Sequence, residues 1–291
     1  MLLAAIVANA QKQVSATSPD QQTKVTITFS DRIYYDVESH GELLFRNSHV
    51  GLTLRDSTLG HKPQLKSHKV QTVSETIIPV HPLKYSKVAN DYTLLTLTFG
   101  GYSLEWRIYN DGVAYRFCTS LKGDIEVMSE DGTWQLASSC QLVLQQPGGF
   151  KTSCEEIYSV VPSAQWKSSD RMSELPVLVM GEEQKVLISE FDLFDYPGTF
   201  LQSAGENTNA FAIIQPKTPL EYEDHGDRSQ KILKEADYIA KTTGTRTFPW
   251  RYMLITQRDG QLAESTMPVR LAPANSIGST DWIHVGQTCW D

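Results

Sequence analysis

The amino-acid sequence predicts an all-β fold, a large two-sheet sandwich, and three observations predict it. Well over a dozen short segments alternate apolar and polar residues, which places successive side chains on opposite faces of a strand. Turn residues separate these segments, and no strand–helix alternation, sequence repeat or linker interrupts the series. At 291 residues, this many strands favours two large packed sheets over a small barrel.

The first strands lie close to the start of the chain. Residues 24–29 and 32–37 alternate strictly around a Ser-Asp turn and predict a β-hairpin. Residues 42–45 and 50–54 continue the series. The polar stretch 59–71 is expected to be a loop or an edge of a sheet.

The next block predicts a three-strand antiparallel meander. Residues 91–99 form its first strand, and Gly100-Gly101 provides a two-residue hairpin turn. Residues 102–109 alternate throughout, and after the turn at 110–112 the chain returns along 113–118.

The second half of the chain continues with short strands. Trp134 and residues 141–144 predict two of them, and residues 175–180 with 185–188 predict a hairpin. Residues 219–231 are polar and charged, which indicates an excursion at the rim of the fold.

Two later segments are harder to assign. Residues 229–240 fit a helical face about as well as a strand, and the β-rich segments on their C-terminal side favour the strand. Residues 269–271 are expected to form a last short strand.

The strand that contains Ile188 delivers three carboxylates to its end. Glu190 and Asp192 fall on one face if the alternation continues, and Asp195 follows just before Tyr-Pro-Gly at 196–198. Such carboxylates can hold a hard cation through oxygen, or can simply be solvated. By pattern alone the solvated state is favoured, because Asp and Glu are mostly exposed.

Composition excludes some classes of function. The net charge is −8 and lysines and arginines are scattered, which argues against a nucleic-acid-binding protein. This balance is compatible with neutral sugars, cations or peptides as ligands.

The N-terminus predicts export. Residues 1–10 are apolar and close on Ala8-Asn9-Ala10, which resembles a signal-peptide cleavage site and indicates the remnant of a signal peptide. A frayed apolar N-terminus is the alternative. Ten residues cannot span a bilayer, so membrane insertion is not expected.

The four cysteines share no C-x-x-C spacing, so neither a zinc site nor a redox pair is indicated. Free thiols are favoured over disulfides for a domain of this size. They are Cys118, Cys140, Cys154 and Cys289.

No self-contained catalytic apparatus is recognisable. The sequence has no G-x-S-x-G, H-E-x-x-H or P-loop motif. Residues 276–291 are expected to be a connector and the first strand of a further domain, so we interpret the chain as part of a multidomain protein.

Nine strings of residues occur in the order in which one enzyme family carries them. They are residues 18–20 (SPD), 32–35 (RIYY), 50–54 (VGLTL), 102–117 (YSLEWRIYNDGVAYRF), 175–179 (LPVLV), 188–198 (ISEFDLFDYPG), 244–251 (GTRTFPWR), 271–273 (LAP) and 290–291 (WD). Together they resemble the N-terminal domain of glycoside hydrolase family 97, a family of exported α-glucosidases and α-galactosidases.

This resemblance implies a fold, a partner and a metal. Residues 17–275 would form a β-super-sandwich of the galactose-mutarotase type, packed on the protein's own C-terminal (β/α)8 barrel, and the enzyme would be periplasmic. The barrel would bind the α-linked oligosaccharide and hold the catalytic pair, so no catalytic residue is expected in this chain. Calcium would be shared between the domains, with Glu190 as the ligand from the sandwich and Asp192 and Asp195 as supporting partners around it.

Two other functions compete with this prediction. A stand-alone carbohydrate-binding sandwich would use Trp106, Trp134 or Trp250 as a sugar platform, although core packing is favoured for each of them. A mutarotase-like epimerase would need a histidine acid and a glutamate base in one cleft. His68, His81 and His225 lie in loop-like segments without a supporting motif, so this function ranks last.

Overall fold

The computed structural model describes residues 12–80, 84–206, 208–226, 230–284 and 286. Within these residues the chain forms twenty-two strands, two short α-helices and one 3-10 turn, which confirms the all-β prediction. The strands are β1 (Lys12–Thr17), β2 (Thr23–Phe29), β3 (Ile33–Ser39), β4 (Glu42–Val50), β5 (Leu52–Leu54), β6 (Thr58–Leu59), β7 (Ser67–Ile77), β8 (Val88–Thr98), β9 (Tyr102–Tyr109), β10 (Gly112–Glu130), β11 (Thr133–Gln135), β12 (Gln141–Gln145), β13 (Tyr158–Pro162), β14 (Ser173–Glu174), β15 (Val177–Met180), β16 (Lys185–Phe191), β17 (Phe200–Ser203), β18 (Ala210–Ile214), β19 (Pro219–Asp224), β20 (Gln230–Glu235), β21 (Ala240–Thr247) and β22 (Trp250–Thr256). The helices are α1 (Asp259–Glu264) and α2 (Met267–Leu271), and the 3-10 turn is Ser163–Gln165.

One large antiparallel sheet forms the first layer of the sandwich. Its strand order is β13-β12-β15-β16-β22-β10-β9-β8-β7, and β21 and β5 add to β10. Two four-stranded sheets lie opposite it, one of β1 to β4 in sequence order and one in the order β11-β18-β17-β14. An isolated bridge between Phe45 and Leu136 links these two smaller sheets. The hairpin of β19 and β20 stands apart as a two-stranded sheet.

The large sheet has two faces with different surroundings. Its inner face carries Trp106, Tyr115 and Ile188. These side chains belong to one hydrophobic core, to which both of the smaller four-stranded sheets also contribute residues. The Trp106 ring lies 5.0 Å from the Tyr35 ring of β3 and 4.8 Å from the Tyr115 ring. Because strict alternation buries every second residue, the period-two pattern of the sequence is the physical cause of this core.

The outer face of the large sheet carries a second, smaller cluster. Tyr109, Trp250 and Tyr252 belong to it, and Met267 and Leu271 of α2 cover it. Neither helix of the described chain is long and apolar enough to cross a membrane.

The prediction of a strand at 269–271 is wrong, because this segment is helical. Met267 and Leu271 are four residues apart and share one helical face, which buries both side chains against the outer cluster. Pro268 stands in the first turn of the helix, where a missing N–H costs nothing.

The other strand predictions are confirmed where the structure describes them. The meander is β8, β9 and β10, and Gly101 adopts a φ of 82° in its first turn. The ambiguous segment 229–240 contributes β20 and the start of β21. The excursion at 219–231 contains β19, which is exposed along its whole length and pairs with β20.

The cysteine prediction holds for the described residues, in which Cys118, Cys140 and Cys154 are free thiols. Burial raises the pKa of the Cys118 thiol to about 11. Residues 1–10, for which a signal-peptide remnant is predicted, lie outside the described part of the chain, as do Cys289 and the closing residues 290–291.

Candidate functional site

Glu190 is the next-to-last residue of β16 and lies on the inner face of the large sheet. It stands directly opposite Arg251 of β22 in the antiparallel register, so the two side chains project to the same side. The backbone N–H of Thr199 donates a hydrogen bond of 2.9 Å to Oε1 of Glu190. Nη1 of Arg251 donates to Oε2. Both carboxylate oxygens are therefore held in a defined orientation.

Arg251 connects Glu190 to a second carboxylate, that of Glu130. Nε of Arg251 donates to Oε2 of Glu130 at 3.1 Å, and Nη2 donates to Oε1. The side chain of Arg251 is 2% exposed and each glutamate side chain is 10% exposed. One arginine thus holds two carboxylates in a nearly dry environment, and the cluster carries a net charge of −1 when all three groups are ionised.

The pKa shifts in this cluster follow from burial and charge. Burial raises the pKa of Glu190, although the positive charge of Arg251 and the Thr199 hydrogen bond oppose that rise. Burial disfavours the charged guanidinium of Arg251 and so tends to lower its pKa. The attraction of the two glutamates is stronger than this effect, so the pKa of the guanidinium is raised overall. The surplus negative charge therefore rests on a carboxylate whose ionised form is poorly solvated.

The carboxylate of Glu190 is suited to be one of several ligands of calcium, the ion that the family resemblance implies. Each of its oxygens accepts one hydrogen bond from the protein and retains a second lone pair. A cation would compensate the surplus negative charge. Within the described chain, no group of three or more His, Cys, Asp or Glu residues could hold a metal ion. Calcium's 6–8 oxygens therefore require further donors.

Asp192 does not share a face with Glu190, so that part of the sequence prediction is wrong. Its φ of 69° takes the chain out of the extended conformation directly after β16. The carboxylate consequently turns to the outer face, where Oδ2 lies 3.9 Å from Nη1 of Arg116. Arg116 is held more closely by Glu105, at 2.8 Å. With Phe191, Asp192 and Arg116 line a groove of about 830 Å³ on the outer face.

Asp195 is exposed and also has a left-handed backbone, with a φ of 48°. It lines a different groove, of about 540 Å³, beside Pro197 and Ile232. None of the hydrogen bonds and ion pairs among the described residues joins Asp192 or Asp195 to Glu190. Their supporting role around a shared metal stays a prediction. In the structure, the two carboxylates line two different grooves.

Sequence reasoning does not single out two residues of this site. The sequence-based prediction includes Arg251 only as the last residue of the string 244–251, and it does not include Glu130. The pairing of β16 with β22 brings Arg251 to Glu190, whereas Glu130 arrives at the end of the 19-residue strand β10. No local sequence signal connects these distant positions.

The three tryptophans considered as sugar platforms are buried in the core. Trp106, Trp134 and Trp250 have no exposed area. The guanidinium of Arg107 lies 4.6 Å from the Trp250 ring centroid and that of Arg116 lies 4.3 Å from it. The preference for core packing over a carbohydrate platform is confirmed for all three.

A second polar cluster lies between β4 and the start of β11. Nε2 of His49 is 3.1 Å from Oδ1 of Asp131, and its Nδ1 is 2.9 Å from Oγ1 of Thr133. Arg32 forms an ion pair with the same aspartate. The hydrogen bond from His49, together with the positive charge of Arg32, lowers the pKa of Asp131. This cluster ties the strands together across two sheets.

The histidines of the epimerase alternative lie in exposed positions where the structure describes them. His68 is in β7, and Nε2 of His225 contacts Glu223 at 3.1 Å next to the exposed strand β19. His81 lies outside the described residues. A histidine–glutamate pair at an exposed hairpin does not form a cleft.

Comparison with known proteins adds a family to this geometry. The family model described as "Glycosyl-hydrolase 97 N-terminal" matches residues 16–273. A curated relative from Bacteroides thetaiotaomicron, named "Retaining alpha-galactosidase", is 32% identical over 304 residues, which cover 100% of this chain and 46% of the relative. A second, from Streptomyces bingchenggensis and named "Probable retaining alpha-galactosidase", is 26% identical over 192 residues, 65% of this chain and 26% of the relative.

Solved structures share the fold. A glycoside hydrolase family 97 enzyme from Pseudoalteromonas sp. strain K8, in complex with acarbose, aligns with a TM-score of 0.75 and 17% identity over 92% of this chain and 39% of its own. A β-arabinopyranosidase aligns with a TM-score of 0.69 and 17% identity, over 84% of this chain and 40% of its own. The chain spans less than half the length of these relatives.

Proposed function

The chain belongs to the glycosyl hydrolase 97 N-terminal family, and from this membership we propose that it is the non-catalytic domain of an exported, calcium-dependent α-glycosidase. In this proposal it packs on a C-terminal catalytic barrel, in keeping with a relative more than twice as long as the matched region. The whole enzyme removes terminal sugars from α-linked oligosaccharides in the periplasm.

Between the two substrates that the family resemblance leaves open, we favour α-galactosides, hydrolysed with retention of configuration. Support comes from the relative that matches over the entire chain, which is named a retaining α-galactosidase. An α-glucosidase is the second candidate, because the family resemblance includes both activities.

The observation that carries the metal part of the proposal is the charge of the Arg251 cluster. Among the described residues, a single arginine faces two carboxylates that are each 10% exposed, and one negative charge is left over. Burying an uncompensated charge is costly. A calcium ion at Glu190 would remove this cost, with its other ligands supplied by the barrel.

Each residue around Glu190 has a defined part in this arrangement. Arg251 and the Thr199 N–H hold the carboxylate from the protein side, which leaves its remaining lone pairs for a ligand. When bound, calcium supplies positive charge that orients and polarises groups near the sugar. Glu130 keeps Arg251 in place and is not itself proposed as a ligand.

The test is a carboxylate-to-amide change in the full-length protein. We expect Glu190→Gln to weaken calcium binding, measured by isothermal titration calorimetry, by about tenfold or more, as is typical when metal-site partners are removed. Hydrolysis of an aryl α-galactoside should fall and should recover in part at high calcium concentration. The same assays on an aryl α-glucoside distinguish the two substrate candidates.

Glu105→Gln is the matched control. Glu105 is also a glutamate of the large sheet held by an arginine, at 2.8 Å, and its side chain is 24% exposed, but it lies on the outer face. This variant should keep the calcium affinity of the parent. Equal calcium affinity in Glu190→Gln and the parent protein would remove Glu190 from the metal site.

A further inference from the structure

Strand β7 is the open edge of the large sheet. It has eleven residues, SHKVQTVSETI, and nine of them are exposed, so it is bare on both faces along most of its length. It pairs with β8 from Ser67 to Ile77 without a register shift, and in the described chain it has no partner on its other side. Its unpaired backbone groups form a template for another strand.

The two ends of this sheet differ in how they are protected. At the opposite end, β13 has five residues and finishes with Pro162, and proline and short length are common devices that stop edge strands from pairing. Strand β7 has neither a proline nor a bulge. This contrast leaves the edge of β7 able to accept a partner strand.

The charges of β7 select the partner. Two side chains in the strand carry a full charge at neutral pH, Lys69 and Glu75, and they lie at equal distances from the central residue, Thr72. If a second copy of β7 pairs antiparallel with the first about Thr72, all eleven residues are in register. Lys69 of each copy then faces Glu75 of the other.

We propose that β7 is a homodimer interface, in which two copies of the chain join their large sheets edge to edge across a two-fold axis at Thr72. The interface gains two Lys69–Glu75 pairs and backbone hydrogen bonds along the strand. Opposite charges directly across neighbouring strands are attractive. A two-fold axis makes the same patch serve both copies.

The local contacts leave both charged side chains able to take part. Lys69 forms no ion pair with the described residues. Oε1 of Glu75 accepts a hydrogen bond of 2.5 Å from Nδ2 of Asn90 on β8, which orients its carboxylate and leaves Oε2 for a cation. The other paired positions are neutral or contain His68, and Val70, which would face Ser74, is 49% exposed in the single chain.

Charge reversal in the full-length protein tests this interface with an internal control. Lys69→Glu places two glutamates opposite each other at both ends of the strand, and Glu75→Lys places two lysines there. We expect each variant to raise the dimer dissociation constant, measured by sedimentation equilibrium, at least roughly tenfold, which corresponds to about 1.4 kcal/mol.

Mixing the two variants should restore the dimer. In the mixed pair, the copy with glutamate at both positions faces the copy with lysine at both positions, so all contacts are attractive again. This recovery cannot arise from misfolding of either variant. Lys24→Glu, which changes the net charge as much as Lys69→Glu does but alters an exposed pair with Glu38 on another sheet, should leave the dimer intact.

Two results would overturn the proposal. One is that the parent protein is a monomer at a concentration of tens of micromolar. This result would overturn the proposal even if the β7 amides were protected from hydrogen exchange, since another part of the same polypeptide would then cover the strand. The other is a mixture of the two variants that dimerises no better than either variant alone. Neither outcome bears on the proposed glycosidase function, which is tested at Glu190.

Discussion

Arg251 is the residue whose replacement tests the physical reasoning about the site most directly. It is buried between Glu130 and Glu190 and donates hydrogen bonds to both. Arg251→Met keeps a long apolar side chain in the core but removes the cation. Two carboxylates that are each 10% exposed then remain close together with no positive charge between them.

The expected cost follows from the class of interaction that is lost. Breaking a buried ion pair by removing one partner costs about 3–5 kcal/mol, because the other charge is left uncompensated. Domains of this kind are stable by only about 5–15 kcal/mol in total. The variant should therefore unfold at clearly lower urea concentration, and its melting temperature should fall by roughly 10 °C.

The loss should depend on pH in a defined direction. Burial already raises the pKa of Glu190, and loss of Arg251 raises it further. A group whose pKa is higher in the folded than in the unfolded state contributes stability below its unfolded pKa, and this contribution disappears as the pH rises through the folded pKa. The deficit of the variant should therefore be largest near pH 8 and should shrink towards pH 5.

Urea unfolding of the parent and the variant at several pH values between 5 and 8 measures this effect. Arg246→Met is the control, since the Arg246 guanidinium stacks on the Phe248 ring at 5.0 Å and forms no ion pair with the described residues. It should cost about 1 kcal/mol with little dependence on pH. Adding Glu190→Gln to Arg251→Met should recover part of the loss, because the two sites are coupled. A deficit that is absent, or equal at pH 5 and pH 8, would refute the account of a charge-compensating arginine.

The remaining predictions concern the core and the second polar cluster. Trp250→Ala should lower the free energy of unfolding by about 3–5 kcal/mol, since Trp250 is fully buried beneath Arg107 and Arg116; a melting temperature equal to that of the parent would contradict its core role. Asp131→Asn should make the stability of the protein less sensitive to acid. The pKa of Asp131 is lowered in the folded protein, first of all by the hydrogen bond with His49. Such a group contributes stability above its unfolded pKa, and this contribution is lost as the pH falls through the folded pKa. Unfolding curves of the parent protein and of Asp131→Asn between pH 6 and pH 3 measure this difference in acid sensitivity. If both proteins lost the same amount of stability over that range, the His49 contact would have no such effect.

Local pattern predicted most of the strands because each one is a half-buried ribbon. In β2 and β3 every second side chain is buried, and the apolar residues of the sequence alternate in the same period, except that the buried end positions Thr23 and Ser39 are polar. The pattern failed where the chain left that geometry. Asp192 has the left-handed φ that ends the alternation, and residues 267–271 contain too few positions to distinguish a short helix from a strand.

The amino-acid sequence by itself determined the all-β class, the hairpins and the family, since these depend on the order of residues over short distances. It also indicated Glu190 as the residue to examine. Only the tertiary structure decided what surrounds Glu190: the pairing of β16 with β22 brings in Arg251, and the end of β10 brings in Glu130. The physical reason is that the ionisation and the ligand-binding capacity of a buried carboxylate depend on charges within a few ångströms in space, and those charges belong to residues sixty or more positions away from Glu190 in the chain.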